Sequence, residues 1–128
     1  DGADLRAEAA AALDRVGLSE PDRPAGAVSH GERRALELAM ALAQRPRLLL
    51  LDEPMAGVGR DETERLTETL RGLKGAVAML LVEHDMGAVF ALADRVSVLV
   101  AGRIVATGTP DAVRADPAVR AAYLGEDA

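Results

Sequence analysis

The chain has no cysteine and no tryptophan, and its aromatic residues are limited to Phe90 and Tyr123. The absence of cysteine excludes disulfides, thiolate catalysis and cysteine-based metal sites. The scarcity of aromatic residues argues against a surface on which nucleic-acid bases stack. His30 and His84 are the only histidines, which disfavours a histidine-rich metal site.

Long hydrophobic runs are also missing. The best candidates, residues 76–82 and 96–101, are far shorter than the ~20 residues of a membrane-spanning helix, so we expect no direct membrane insertion. The 15 basic and 21 acidic residues give a net charge of −6. Because an acidic surface binds nucleic-acid phosphates poorly, we expect no nucleic-acid partner. The 128 residues, 49% of them hydrophobic, are enough for one packed domain.

Helical and extended patterns alternate along the chain. Apolar periodicity and helix-end residues predict helices over 4–16, 29–45, 60–73 and 86–93, and short ones after Thr109 and Asp116. Apolar runs predict strands over 48–51 and 76–82, and a hairpin of 96–100 and 104–106 that turns at Ala101-Gly102. The runs at 48–51 and 76–82 lack alternation, which predicts burial on both faces, as in a parallel sheet. The pattern is typical of an α/β fold with a mostly parallel sheet and flanking helices.

Charged side chains follow both predicted parallel strands. Asp52 and Glu53 come after the first strand, and Glu83, His84 and Asp85 after the second. The carboxyl ends of parallel strands meet at one edge of a sheet, where ligands of such folds bind. Asp52 could hold Mg²⁺, Glu53 could polarise an attacking water, and His84 could reach a phosphate nearby. Each of them alone could equally be a surface residue at a strand end.

The segment Ser29-His30-Gly31-Glu32 opens the second helix. Its Ser-x-x-Glu pattern predicts a capping box, in which each side chain accepts a hydrogen bond from the backbone. A functional interpretation adds to this. Gly31 would let a ligand approach the backbone, and the free N–H groups of a helix start favour a phosphate.

The order and spacing of these segments resemble the C-terminal part of an ABC-transporter ATPase subunit. Val28–Glu32 resembles the signature motif, Leu48–Glu53 the Walker B motif, Met55–Gly59 the D-loop, and His84 the switch histidine. The resemblance divides the chain into 1–27 (end of a helical subdomain and linker), 28–108 (ATPase core) and 109–128 (helical tail).

Within that family, four segments resemble the ATPases of branched-chain amino acid importers, namely residues 52–59, 81–86, 102–110 and 122–126. Urea or amide importers share much of the same sequence. Three residues depart from the common family pattern. His30 stands where many members have glycine, Glu32 where many have glutamine, and Gly59 where many have the D-loop aspartate. Because Gly59 has no side chain, coupling between the two ATPase subunits through a D-loop aspartate is in doubt.

The resemblance implies ATP and Mg²⁺ as cofactors, a second ATPase subunit and transmembrane permease subunits as partners, and a peripheral location at the cytoplasmic face of the inner or plasma membrane. It also implies site residues: Glu53 and His84 in catalysis, Asp52 on Mg²⁺, Ser29, His30, Gly31 and Glu32 on the ATP of the partner subunit, and Gly57 and Gly59 in the D-loop.

The phosphate-binding loop Gly-x-x-x-x-Gly-Lys-Ser/Thr of an intact cassette is absent. The single lysine, Lys74, is followed by Gly75, and the single glutamine, Gln44, lies after the signature helix. We therefore expect a C-terminal portion of such a subunit, truncated or cleaved, with negligible ATPase activity alone. Strand faces and edges left uncovered by the missing part would favour self-association.

Two other functions remain open. A DNA-repair or chromosome-maintenance ATPase head shares the same motifs, although the acidic charge and the lack of a heptad-rich arm oppose it. A scaffold that lost the chemistry is the other alternative, and the presence of both Glu53 and His84 argues against it.

Overall fold

The computed structural model describes residues 1–124, and the chain divides into two compact units, one over residues 1–85 and one from Met86 onward. Within the described part, no helix is long and apolar enough to cross a membrane. The helical tail predicted over 109–128 extends past this part, and residues 125–128 lie outside the described residues. They include Gly125 and Glu126, which belong to the segment that resembles the importer ATPases.

The first unit contains three helices and two strands, in the order α1 (Gly2–Arg15), α2 (His30–Ala43), β1 (Leu48–Asp52), α3 (Arg60–Leu73) and β2 (Ala78–Val82). A 3₁₀ turn at Ala25–Ala27 lies in the predicted loop before α2. The predicted elements of this unit are all present, and α3 has the predicted bounds. The strand predicted from residue 76 begins two residues later, at Ala78.

Strands β1 and β2 pair in parallel, with Leu48 opposite Ala78 and Asp52 opposite Val82. The parallel pairing predicted from the apolar runs is therefore confirmed. The ladder continues for one further bond, because the Glu53 N–H donates to the Val82 carbonyl at 2.7 Å. This register brings the residues after both strands to the same edge of the sheet.

The two faces of this strand pair differ in burial. Leu49 is only 4% exposed, and it lines a common cleft with Leu38 of α2 and with Leu66 and Leu70 of α3. The opposite face is exposed and carries large apolar side chains, namely Leu48, Leu50, Leu80 and Val82. The prediction that both faces are buried is therefore wrong for this chain. The physical reason is that α2 and α3 supply their apolar side chains to one face only.

The second unit is built on an antiparallel hairpin. Its elements are α4 (Met86–Leu92), β3 (Val96–Val100), β4 (Arg103–Gly108), α5 (Pro110–Ala115), the single turn α6 (Pro117–Val119) and a π-helical turn (Arg120–Leu124). Ala101 and Gly102 both have positive φ, at 47° and 78°, which is the geometry of a tight two-residue hairpin turn. The turn is where the sequence predicts it.

A compact apolar cluster holds this unit together, formed by Val89, Val96, Val98, Val113 and Val119. The predicted starts of α5 and α6 are confirmed. Thr109 and Asp116 cap the two helices with their side chains, and a proline occupies the first turn of each.

Candidate functional site

The ends of β1 and β2 bring three of the predicted site residues together. His84 Nδ1 lies 3.0 Å from Glu53 Oε1. Asp52, the last residue of β1, is exposed at the same edge. The His84 and Glu53 side chains are 70% and 51% exposed, so the pair is open to a ligand from solvent. We call Asp52, Glu53, Glu83 and His84 the strand-end cluster.

Glu53 has an unusual backbone conformation. Its φ of 47° lies in the left-handed region, which costs a non-glycine residue about 1–2 kcal/mol. Hydrogen bonds on both sides hold it there: its N–H donates to the Val82 carbonyl at 2.7 Å, and its own carbonyl accepts from the Ala56 N–H at 3.1 Å. The turn directs the chain away from the strand directly after Asp52.

Glu83 belongs to this cluster, although the motif pattern does not assign it a role. Its side chain is 1% exposed. Its carboxylate accepts from the Met55 N–H at 3.0 Å and from the His84 N–H at 3.0 Å. A buried carboxylate is stable only when it is well hydrogen-bonded, and backbone N–H groups from two loops meet that need here.

The start of α2 has the predicted capping box. Ser29 Oγ accepts from the Glu32 N–H at 3.2 Å, and Glu32 Oε2 accepts from the Ser29 N–H at 2.8 Å. The same carboxylate forms an ion pair with Arg23. The hydrogen bond from the Ser29 backbone and, after it, the pairing with Arg23 lower the pKa of Glu32. The Glu32 carboxylate is therefore engaged within its own chain.

Gly31 lies directly beneath the carboxylate of Glu62, a residue of α3. A Cβ built on Gly31 would overlap the end of the Glu62 side chain. Glu62 Oε1 also lies 3.5 Å from Ser29 Oγ. The small residue at position 31 thus makes room for an acidic side chain of the same chain, at the helix start where a phosphate was expected.

The D-loop residues pack against the signature segment. A Cβ on Gly57 would lie 3.2 Å from His30 Nε2, and Gly57 itself has a positive φ of 71°. Arg34 donates to the Ala56 carbonyl at 3.4 Å. Gly59 caps α3 through its backbone alone, without a side-chain hydrogen bond. We call Ser29–Glu32, with Gly57 and Glu62, the signature cluster.

All the predicted site residues except Gly59, which precedes α3, thus lie in two groups, the strand-end cluster and the signature cluster. Sequence reasoning placed Glu83 at the strand end without assigning it a role, and it missed Glu62. Glu83 carried a weak indication, since an acidic residue directly after an apolar strand is placed at the ligand-binding edge. For Glu62, one of two acidic residues in the first turn of α3, the sequence offered no such indication.

The donor groups of the strand-end cluster fit a magnesium–nucleotide complex. Within residues 1–124 no group of three or more histidine, cysteine, aspartate or glutamate side chains could hold a metal ion alone. Mg²⁺ bound with a nucleotide needs only one or two protein carboxylates, because phosphates and waters supply its other ligands. The exposed Asp52 carboxylate can meet that need.

Two family profiles match the sequence. The ABC transporter profile matches residues 4–56, and the profile of the branched-chain amino acid ATP-binding cassette transporter matches residues 103–128.

Curated relatives align over most of the chain. BraF of Pseudomonas aeruginosa, a high-affinity branched-chain amino acid transport ATP-binding protein, is 42% identical over 117 residues, which are 89% of this chain and 46% of the relative. LivG of Escherichia coli K12, of the same description, is 41% identical over 121 residues, 92% of this chain and 48% of the relative. FbpC of Streptomyces avermitilis, an Fe(3+) ions import ATP-binding protein, is 49% identical over 120 residues, 90% of this chain and 35% of the relative. The chain thus spans half or less of the length of these relatives.

Solved structures have the same fold over the aligned part. An ATP-binding cassette of an ABC transporter superposes with a TM-score of 0.82 at 30% identity, covering 95% of this chain and 51% of the other. The cbiO1 protein of Clostridium perfringens, part of the ABC transporter complex cbiONQ, gives a TM-score of 0.81 at 26% identity, covering 99% and 52%. The motifs, the relatives and the fold agree, and the chain belongs to the ATP-binding family of ABC transporters.

Proposed function

We propose that the chain is the C-terminal part of an ABC importer subunit that hydrolyses ATP to energise solute uptake. The contact of 3.0 Å between His84 Nδ1 and Glu53 Oε1, beside Asp52 at the end of β1, is the observation that supports this function best. A carboxylate, a histidine and a second carboxylate at one open sheet edge are suited to phosphoryl transfer, which depends mainly on positioning and charge stabilisation.

Each residue of the strand-end cluster has a role in this proposal. Asp52 would hold Mg²⁺, and the ion, when bound with ATP, would neutralise charge on the phosphates. Glu53 would orient the attacking water and accept its proton. His84 would hold the Glu53 side chain through their mutual contact and would also contact the terminal phosphate.

The signature cluster would act on a different nucleotide, held by a second ATPase subunit. Ser29, His30, Gly31 and Glu32 would face that nucleotide, and Gly57 and Gly59 would contact the partner as parts of the D-loop. The capping box supports this role indirectly, because it fixes the first turn of α2 and the direction of its N–H groups.

Branched-chain amino acids are the proposed solute. The profile match over residues 103–128 and the identity to BraF and LivG support this choice. The identity of 49% to an Fe(3+) importer protein makes ferric ion the second candidate. The subunit would pair with a second ATPase subunit and bind permease subunits at the cytoplasmic face of the inner or plasma membrane. The two candidates can be distinguished by measuring the ATPase activity of the reconstituted transporter with each solute. The transported solute should stimulate the activity, and the other should not.

The test of the ATPase function is Glu53→Gln in a complete subunit, in which a phosphate-binding loop precedes this chain. Loss of the carboxylate should lower turnover by roughly 10²- to 10⁴-fold, as for loss of a general base, while ATP binding is retained. Glu64→Gln is the matched control, because Glu64 is an exposed residue of α3 that forms an ion pair with Arg60, one turn earlier on the same helix. Turnover unchanged by Glu53→Gln would favour the scaffold alternative. Stimulation by duplex DNA would favour the DNA-repair alternative.

A further inference from the structure

The Glu83 side chain is the most completely buried charged group of the strand-end cluster, with 1% of it exposed. Its two carboxylate oxygens accept hydrogen bonds from backbone N–H groups of two different loops. Oε2 accepts from the Met55 N–H in the loop after β1, at 3.0 Å. Oε1 accepts from the His84 N–H at 3.0 Å and the Asp85 N–H at 3.4 Å in the loop after β2. One carboxylate therefore spans the two loops that carry Glu53 and His84.

The loop after β1 needs such an anchor. Glu53 lies in the left-handed region, and the bond from the Ala56 N–H to the Glu53 carbonyl closes a turn that contains Met55. A left-handed non-glycine residue persists only where its surroundings hold it in place. The bond from the Met55 N–H to Glu83 fixes the far side of that turn and, with it, the direction of the Glu53 side chain.

We infer that Glu83 is a positioning residue, whose carboxylate ties the loop after β1 to the loop after β2 and so sets the distance between Glu53 and His84. This inference rests on the proposed function only in assuming that the Glu53–His84 pair acts on ATP.

The same carboxylate also lies beside the His84 ring. Glu83 Oε1 lies 3.6 Å from His84 Nδ1, and Glu53 Oε1 lies 3.0 Å from the same nitrogen. Two carboxylate oxygens beside one ring nitrogen favour a proton on it, because ionised carboxylates only accept hydrogen bonds. The neutral ring therefore carries its proton on Nδ1, and Nε2 is the nitrogen left for a ligand.

Two substitutions of Glu83 distinguish the effect of its side-chain length and hydrogen bonds from the effect of its negative charge. Glu83→Gln keeps the length but replaces one acceptor oxygen with an N–H₂ group, which cannot accept from either loop. Glu83→Asp keeps the charge, but its side chain is shorter by one methylene. It therefore cannot accept hydrogen bonds from both loops at once. If the bridge matters, both variants should be impaired. If only a negative charge is needed, Glu83→Asp should behave as the wild type.

The first measurement uses the 128-residue chain and ¹⁵N NMR, without nucleotide. In the wild type, the Met55 amide should be protected from hydrogen exchange although it lies in a loop, and the His84 ring should show the Nδ1–H tautomer. Both variants should lose Met55 protection and shift His84 toward the Nε2–H tautomer. His30 is the internal reference, because it is the only other histidine and lies outside the strand-end cluster. An unprotected Met55 amide in the wild type would overturn the inference even if neither variant folds.

The second measurement is steady-state ATPase activity of the same variants in a complete subunit. We expect kcat to fall roughly 10- to 100-fold, as for loss of a group that orients catalytic residues, with KM for ATP little changed. Wild-type kcat in Glu83→Asp would refute the bridge. If the NMR results hold but the wild-type subunit hydrolyses no ATP, the proposed function fails while the positioning role of Glu83 stands.

Discussion

Two adjacent leucines of β1 should respond very differently to truncation. Leu49 is 4% exposed and faces α2 and α3. The Leu50 side chain is 70% exposed, and the alternation of side chains along a strand places it on the opposite face. The pair has the same chemistry and local backbone. Leu49→Ala and Leu50→Ala therefore form a matched experiment on which face of the sheet is covered.

The expected magnitudes follow from these burials. Truncating a buried leucine costs about 2–5 kcal/mol, from lost apolar burial and from the cavity left behind. Leu49→Ala should lower the free energy of unfolding by this amount. Full burial of a leucine is worth about 1.5–3 kcal/mol, so the small buried fraction of Leu50 corresponds to less than about 1 kcal/mol, and no cavity forms.

The assay is urea unfolding followed by the NMR signals of β1 and β2, which report on the first unit directly. The single tyrosine, Tyr123, belongs to the second unit, where its hydroxyl donates to the Leu99 carbonyl, so its fluorescence reports on that unit separately. The measurements need a protein concentration at which light scattering shows monomers. Equal destabilisation by the two variants in monomeric chain would show that the Leu50 face is covered, and would refute this account of the sheet.

Further predictions concern association, activity and acid stability. At higher concentration the exposed apolar face should drive self-association, which Leu50→Ala should weaken in light scattering; a strictly monomeric wild type would contradict this. The 128-residue chain alone should show negligible ATPase activity, because its only lysine, Lys74, is not part of a phosphate-binding loop, and robust magnesium-dependent turnover would refute this. The lowered pKa of Glu32 means that its ionised form stabilises the fold at neutral pH, and that this contribution is lost as pH falls from about 4.3 through the lowered pKa. Glu32→Gln should therefore lose less stability on acidification than the wild type, and identical acid profiles would contradict this.

The local elements of the fold could be predicted from sequence because their causes lie close together along the chain. The start of α2 depends on Ser29 and Glu32, three residues apart, and their hydrogen bonds form within one turn. The turn between β3 and β4 depends on Ala101 and Gly102 alone. The proximity of Glu53 and His84 was also accessible, because the ends of parallel strands meet at one edge.

The tertiary structure decided the rest. The apolar runs of β1 and β2 do not reveal which face receives helices, so the exposure of Leu50 could not be read from them. Glu83 and Met55 are 28 residues apart in sequence, and Glu62 and Ser29 are 33 apart. Such contacts form only once the strands pair and α3 packs beside α2. A carboxylate becomes buried and accepts backbone hydrogen bonds only when a distant segment of the chain lies beside it. The sequence alone thus determined the elements and the edge at which the acidic residues and His84 meet, whereas packing decided which face stays open and which carboxylates hold the site in place.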